Sequence, residues 1–195
     1  MAWAAALLVI GGCVRSINPV LKEDQYISND AVLGNWIKND GKDSAVVSVG
    51  TNPREYHLLY VDGDGKQADL VANLGKLGDK TIVQCTVADP TDHSASSGVY
   101  WLHLQKLYTF AWLKEIGPRL VLTTIDPDWL KKYLDAHPSE LAIVKLDKDN
   151  FVISATTDEL QAFLLAHQND AEAFTENGIY VRPGDPSTQP AASPK

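Results

Sequence analysis

Tyr100, Trp101, His103, Gln105, Tyr108, Phe110 and Trp112 bring aromatic surface and hydrogen-bonding groups together more densely than any other stretch of the chain. Side chains of an extended strand alternate between faces, so Trp101, His103 and Gln105 share one side. Turned inward, Trp101, His103, Tyr108, Phe110 and Trp112 would line a pocket for a small apolar ligand, with a few polar groups to orient it. Turned the other way, the same residues serve inter-strand packing or meet solvent.

Metal chemistry has little to work with. His57, His93, His103, His137 and His167 are scattered, and neither a His-Glu-x-x-His nor a Cys-x-x-Cys spacing occurs. Asp62-Gly63-Asp64-Gly65-Lys66 begins like a calcium loop. It then places Lys66 fifth, Gln67 sixth and Asn73 twelfth, where an EF-hand needs an oxygen ligand, a glycine and a glutamate. A tight hairpin turn accounts for the same letters. Gly-x-Ser-x-Gly, Gly-x-x-x-x-Gly-Lys-Ser/Thr and Gly-x-Gly-x-x-Gly templates are missing as well. Asp126/Asp128 and Asp147/Asp149 have capping and turn explanations, and residues 94–98 read as a polar connection. No catalytic residue, metal ligand or cofactor is therefore assigned. A binding or scaffolding role is expected rather than an enzyme, whose site would have to be assembled from residues distant in sequence.

The chain that must position these groups has 195 residues, with 17 Lys and Arg against 25 Asp and Glu and a net charge of -8. That length suits one domain with a real core. The acidic balance excludes the clustered basic surface that a nucleic-acid binder needs. Two cysteines, Cys13 and Cys85, cannot build a disulfide framework. No apolar run reaches the roughly 18 residues of a spanning helix.

From Val32 to Ile125, short apolar runs alternate with turn signals, as antiparallel strands do. The expected strands are Val32–Lys38, Ala45–Val49, Glu55–Asp62, Lys66–Leu74, Thr81–Ala88, Val99–Lys106, Leu107–Glu115 and Arg119–Ile125. A period of two places Ala68, Leu70, Ala72 and Leu74 inside, with Asp69 and Asn73 in water. It also places Val83, Cys85 and Val87 inside, with Gln84 and Thr86 opposite, and makes Cys85 a reduced core thiol. Asp126-Pro127-Asp128 then starts a helix carrying Trp129, Leu130, Tyr133 and Leu134 on one stripe. Thr156-Thr157-Asp158-Glu159 is a capping box that opens a second helix, with Leu160, Phe163 and Leu164 buried. Leu141–Leu146 and Phe151–Ser154 read as a hairpin, Ala171–Thr175 as a turn of helix and Ile179–Val181 as a last strand. The expected fold is mainly β: an antiparallel meander β-barrel of about eight strands, two C-terminal helices and a short added hairpin. Residues 31–182 form one globular domain, with the barrel over 31–125 and the helix and hairpin extension over 126–182. Residues 183–195, rich in Pro and Ser, read as a disordered tail.

Ahead of this body, Ala4–Ile10 has the length of a signal-peptide apolar region, and Ile10-Gly11-Gly12-Cys13 follows. An aliphatic residue, two small ones and a cysteine resemble the lipobox of bacterial lipoproteins. The resemblance implies a signal peptide over residues 1–12, cleavage before Cys13, and lipidation of Cys13 by a diacylglycerol with palmitate-like chains. Each buried methylene is worth roughly 0.8 kcal/mol, so several acyl chains would hold the protein at a membrane. Residues 13–30 would then be the lipidated cysteine and a flexible tether. Val14, in place of an aspartate, points by the same resemblance to the periplasmic face of the outer membrane. The absence of Lys or Arg before the apolar run departs from the family pattern. The residue-level alternative is a buried N-terminal strand or helix with Cys13 as a small apolar filler.

Gly34-Asn35-Trp36 at the start of the first expected strand, followed by the meander and a helix, resembles lipocalins and the wider calycin group. The resemblance covers roughly Val32 to Tyr133. It implies that Trp36 plugs one end of the barrel and that a basic side chain near the last strand packs over the indole. Arg119 is the expected partner. Together these readings describe an envelope lipoprotein, anchored to the membrane by lipid, that binds a small apolar ligand or serves as a scaffold. An assembly adaptor whose barrel is filled and whose outer surface meets an envelope protein is the alternative. A cavity above about 300 Å³ would favour the ligand, and a packed interior the adaptor.

Overall fold

The computed structural model describes residues 14–88, 106–147 and 150–184. In chain order its strands are β1 (Arg15–Ser16), β2 (Tyr26–Ile27), β3 (Gly34–Lys38), β4 (Ser44–Val49), β5 (Tyr56–Val61), β6 (Gln67–Leu77), β7 (Lys80–Val87), β8 (Tyr108–Ile116), β9 (Arg119–Ile125), β10 (Ile143–Lys145), β11 (Phe151–Ile153) and β12 (Phe174–Val181). The helices are α1 (Pro127–Ala136) and α2 (Thr157–His167).

Eight strands close into an antiparallel barrel. β3 to β9 follow one another around the ring, and β12 sits between β9 and β3. The barrel is therefore up-and-down in chain order, and the segment between β9 and β12 is an insertion packed against it. Closure removes the free edges that an open sheet of this size would present. The expected strand Val99–Lys106 falls almost wholly outside the described residues. Its place in the count of eight is taken by β12, so the barrel is not confined to residues 31–125 but needs residues 174–181 from the far side of the insertion. The expected helical turn Ala171–Thr175 is instead a turn leading directly into β12.

Residues 14–30 are not a tether. β1 pairs with the first residues of β8 and lies parallel to β11, and β2 pairs with β6 across Tyr26↔Gly75. Val20 and Leu21 are fully buried. A Cβ on Gly75 would stand 2.5 Å from a Leu21 methyl, so only glycine lets this segment cross β6 so closely. Polar side chains fasten the crossing. Gln84 Oε1 accepts from Leu21 N at 2.9 Å, Gln84 Nε2 donates to the Tyr26 hydroxyl at 3.0 Å, and Gln161 Nε2 donates to Val20 O at 2.7 Å. Gln84, expected opposite the core face, is thus 1 % exposed beneath the N-terminal segment. Asn73, expected in water, is buried and donates to Arg54 O.

Two cores result. One fills the barrel around Trp36, Tyr56, Leu74, Leu113 and Leu120. The other lies between the barrel wall (Leu77, Ile82, Phe110, Trp112, Ile125) and Val20, Leu21, Leu130, Leu134, Ile153, Leu160 and Leu164 of the surrounding elements. Both helices begin as their sequences require. Asp126 accepts from Asp128 N and Trp129 N at 2.9 Å each, ahead of Pro127 at the first helical position.

At α2 the Glu159 carboxylate accepts from Thr156 N and from its hydroxyl, both at 2.8 Å, closing the capping box. Thr156→Ala should cost about 1 kcal/mol in urea unfolding. The backbone hydrogen bond from Thr156, then the side-chain one, hold the Glu159 pKa below its ordinary 4.5. A depressed folded value means that this contribution is complete above the unfolded pKa and is lost as pH falls through the folded one. Glu159→Gln should therefore flatten the acid-side loss of stability measured from about pH 5 down to about pH 3.

Candidate functional site

The strand registers decide what faces the barrel interior. Trp36 stands opposite Ala45, which stands opposite Tyr60, and Tyr56 stands opposite Ala72, which stands opposite Cys85. Large side chains alternate with small ones around the ring, so the rings of Trp36 and the tyrosines occupy volume that the alanines leave. A cavity of about 130 Å³ remains, walled by these residues with Val47, Leu58, Leu74, Val83, Leu113, Leu120, Leu122 and Tyr180. Its lining is almost wholly apolar. The Tyr56 hydroxyl turns away to accept from Asn29 N at 2.7 Å. Tyr60 is held protonated well above the usual phenol range, first by burial, then by Tyr180 and by Asp43, which accepts its hydroxyl. Cys85 lines this cavity.

One end of the barrel is closed by a compact device. Trp36 is 1 % exposed, and its Nε1 donates to Val32 O at 2.7 Å. The Arg182 guanidinium lies over the indole, 3.7 Å from the ring centroid, and donates to Leu33 O at 2.6 Å and to Ala31 O at 3.0 Å. Gly34 has φ +108°, and a Cβ there would sit 2.6 Å from Arg182 Nη1. The glycine of Gly34-Asn35-Trp36 thus serves both the backbone and the passage of the arginine.

The cation is Arg182, not Arg119. Leu120 and Leu122 line the cavity, so alternation turns Arg119 to the other face, where it pairs with Glu115 at 2.6 Å. Arg182 follows directly on β12, in phase with Tyr180 at the cavity wall.

Of the expected ligand-lining residues, the described ones (Tyr108, Phe110 and Trp112) do not line the cavity. Phe110 and Trp112 face the second core, and Ala111 and Leu113 take the alternate positions between and after them on β8. Tyr108 has the same phase as Phe110 and pairs with Ser16 and Thr86. Trp101, His103 and Cys13 lie outside the described residues.

The Asp62–Lys66 segment is a turn. Asp62 Oδ1 accepts from Asp64 N and Lys66 N at 2.9 Å each, and Gly65 has φ +79°. Among the described residues no group of three or more His, Cys, Asp or Glu could hold a metal ion, and no helix is long and apolar enough to cross a membrane. His137 and His167 end their helices and pack about Tyr133, His137 stacked on it at 4.4 Å between ring centroids and His167 edge-on at 4.7 Å, as part of helix packing. Comparisons with protein-family models, with the curated proteins and with the solved structures find no match for this chain.

Proposed function

We propose that this protein is a non-catalytic envelope scaffold, anchored by lipid at Cys13, whose barrel is filled by its own side chains except for a small cavity and whose outer surface meets a protein partner. The observation that carries the reading is the interior volume of about 130 Å³, well under the roughly 300 Å³ at which drug-sized ligand pockets begin. A site for the partner is supported by β10, which ends the strand order among the described residues, with Val144 on it and Leu146 just after it exposed. Edge strands of this kind recruit an extended segment by adding a strand to the sheet.

Native mass spectrometry of protein extracted from its own membrane tests this. The expected result is a protein–protein complex, lost in the Val144→Lys, Leu146→Lys double variant with no fall in Tm. Metabolic labelling with an alkyne fatty acid should mark the wild type and not Cys13→Ser, and equal labelling removes the anchor. A second reading, a small apolar ligand in the barrel, is favoured by the cavity's apolar lining. A cavity of about this size lined by aliphatics and aromatics stays dry and accepts a benzene-sized molecule. A small adduct in the native spectrum that disappears in Ala72→Phe would select that reading.

A further inference from the structure

A groove of about 590 Å³ runs between the β6–β7 hairpin, β8 and the connection from α2 to β12. Its volume falls in the range of small-molecule sites. Three side-chain atoms of the residues that wall it are buried without a hydrogen-bond partner among the described residues: Trp112 Nε1, Thr123 Oγ1 and Gln168 Oε1. Trp112 is 5 % exposed and Thr123 2 %, and the two stand opposite each other across β8 and β9. An unsatisfied buried polar group costs about 1–3 kcal/mol, and three of the four such atoms among the described residues belong to residues that wall this groove, the fourth being Ser16 Oγ.

Cationic side chains outnumber anionic ones here. Trp112 Nε1 can only donate, the Thr123 hydroxyl can donate, and the ammonium groups of Lys76, Lys80 and Lys114 also border the groove. Against these three cations stand Asp79 and Asp170, and Asp170 already accepts from Glu172 N. Lys80 lies over the Trp112 indole. Its Nζ lies 5.7 Å from the Trp112 ring centroid and donates to Gln168 O and to Asn169 Oδ1.

We infer that this groove is a binding site for a small molecule with one oxyanion and a neighbouring hydrogen-bond donor, such as a hydroxycarboxylate or a hydroxylated phosphate monoester. The oxyanion accepts from Trp112 Nε1, from Thr123 and from Lys80 as that side chain swings off the indole. The ligand's own hydroxyl donates to Gln168 Oε1. The site is separate from the barrel cavity and independent of the anchor at Cys13.

The test follows the Trp112 indole ¹⁵N–H resonance, assigned by its loss in Trp112→Phe, during titration with sodium lactate and with sodium glycerol 3-phosphate. Sodium chloride at equal ionic strength is the control. A saturable shift with either probe and none with chloride is expected, and the probe that saturates tells carboxylate from phosphate. Lys80→Met should weaken that binding at least tenfold. Thr123→Val, nearly isosteric, should weaken it too while leaving Tm unchanged or raising it by about 2–4 °C, because it removes an orphan hydroxyl. Failure of both probes to saturate, an equal response to chloride, or unchanged titrations in both variants would overturn the assignment. So would a lower Tm in Thr123→Val, which would show that the hydroxyl already has a partner in the protein.

Discussion

Trp36→Ala should destabilise the folded state by about 3–5 kcal/mol in urea or thermal unfolding, the range for deleting a fully buried large aromatic. The indole is 1 % exposed, fills the barrel between Ala45 and Val32, and satisfies the Val32 carbonyl. Its removal also strips Arg182 of the ring it covers. Arg182→Met should cost less but still measurably, since a desolvated cation–π contact is worth roughly 0.5–2 kcal/mol and two carbonyl acceptors lose their donor. Arg119→Met should stay near or below about 1 kcal/mol, as an ion pair at the surface does. A loss under about 1 kcal/mol for Trp36→Ala, or a larger loss for Arg119 than for Arg182, would contradict the plug described above.

A chain beginning at residue 31 should fail to reach the native fold, seen as loss of near-ultraviolet circular dichroism and of a cooperative transition. Val14, Val20 and Leu21 are buried in the core outside the barrel. Each large aliphatic contributes roughly 1.5–3 kcal/mol. Gln84 also loses its hydrogen bonds to Leu21 N and the Tyr26 hydroxyl, each worth about 1 kcal/mol net. The combined loss is comparable with the whole 5–15 kcal/mol by which a domain of this kind is stable. Leu21→Ala probes the same contact more gently, with an expected cost of about 2–5 kcal/mol. A simple tether could be removed with no change in Tm, so the truncation separates the two descriptions.

The parts of this fold that were legible in the sequence are those in which local pattern and final environment agree. Ala72, Leu74, Val83 and Cys85 alternate with polar residues and do face the barrel interior. Asp126 and Thr156 cap their helices because the cap needs only neighbours in sequence. Where a second layer covers the sheet, alternation alone misleads. Gln84 and Asn73 hold the outward phase yet are buried, because other parts of the chain lie over them. Phe110 and Trp112 are lost to the cavity for the same reason: the outer wall is also a core. Arg182 was hidden by distance. The strand before it is interrupted by Glu176, Asn177 and Gly178, where the register shifts, so only its last residues read as β. The groove around Trp112 draws its residues from separate segments of the chain, and no local spacing announces such an assembly.

Val14 is already part of the packed interior, and Arg15 is hydrogen-bonded into the sheet one residue later. If Cys13 carries the proposed acyl chains, there is no leash between them and the body. Two residues span roughly 7 Å at full extension. The end of the body that carries Val14 would then be held close against the leaflet in every copy, with little freedom to move away from it. A partner would find its docking strand within a narrow range of heights above the lipid, and lengthening the chain between Cys13 and Val14 would widen that range without touching the fold.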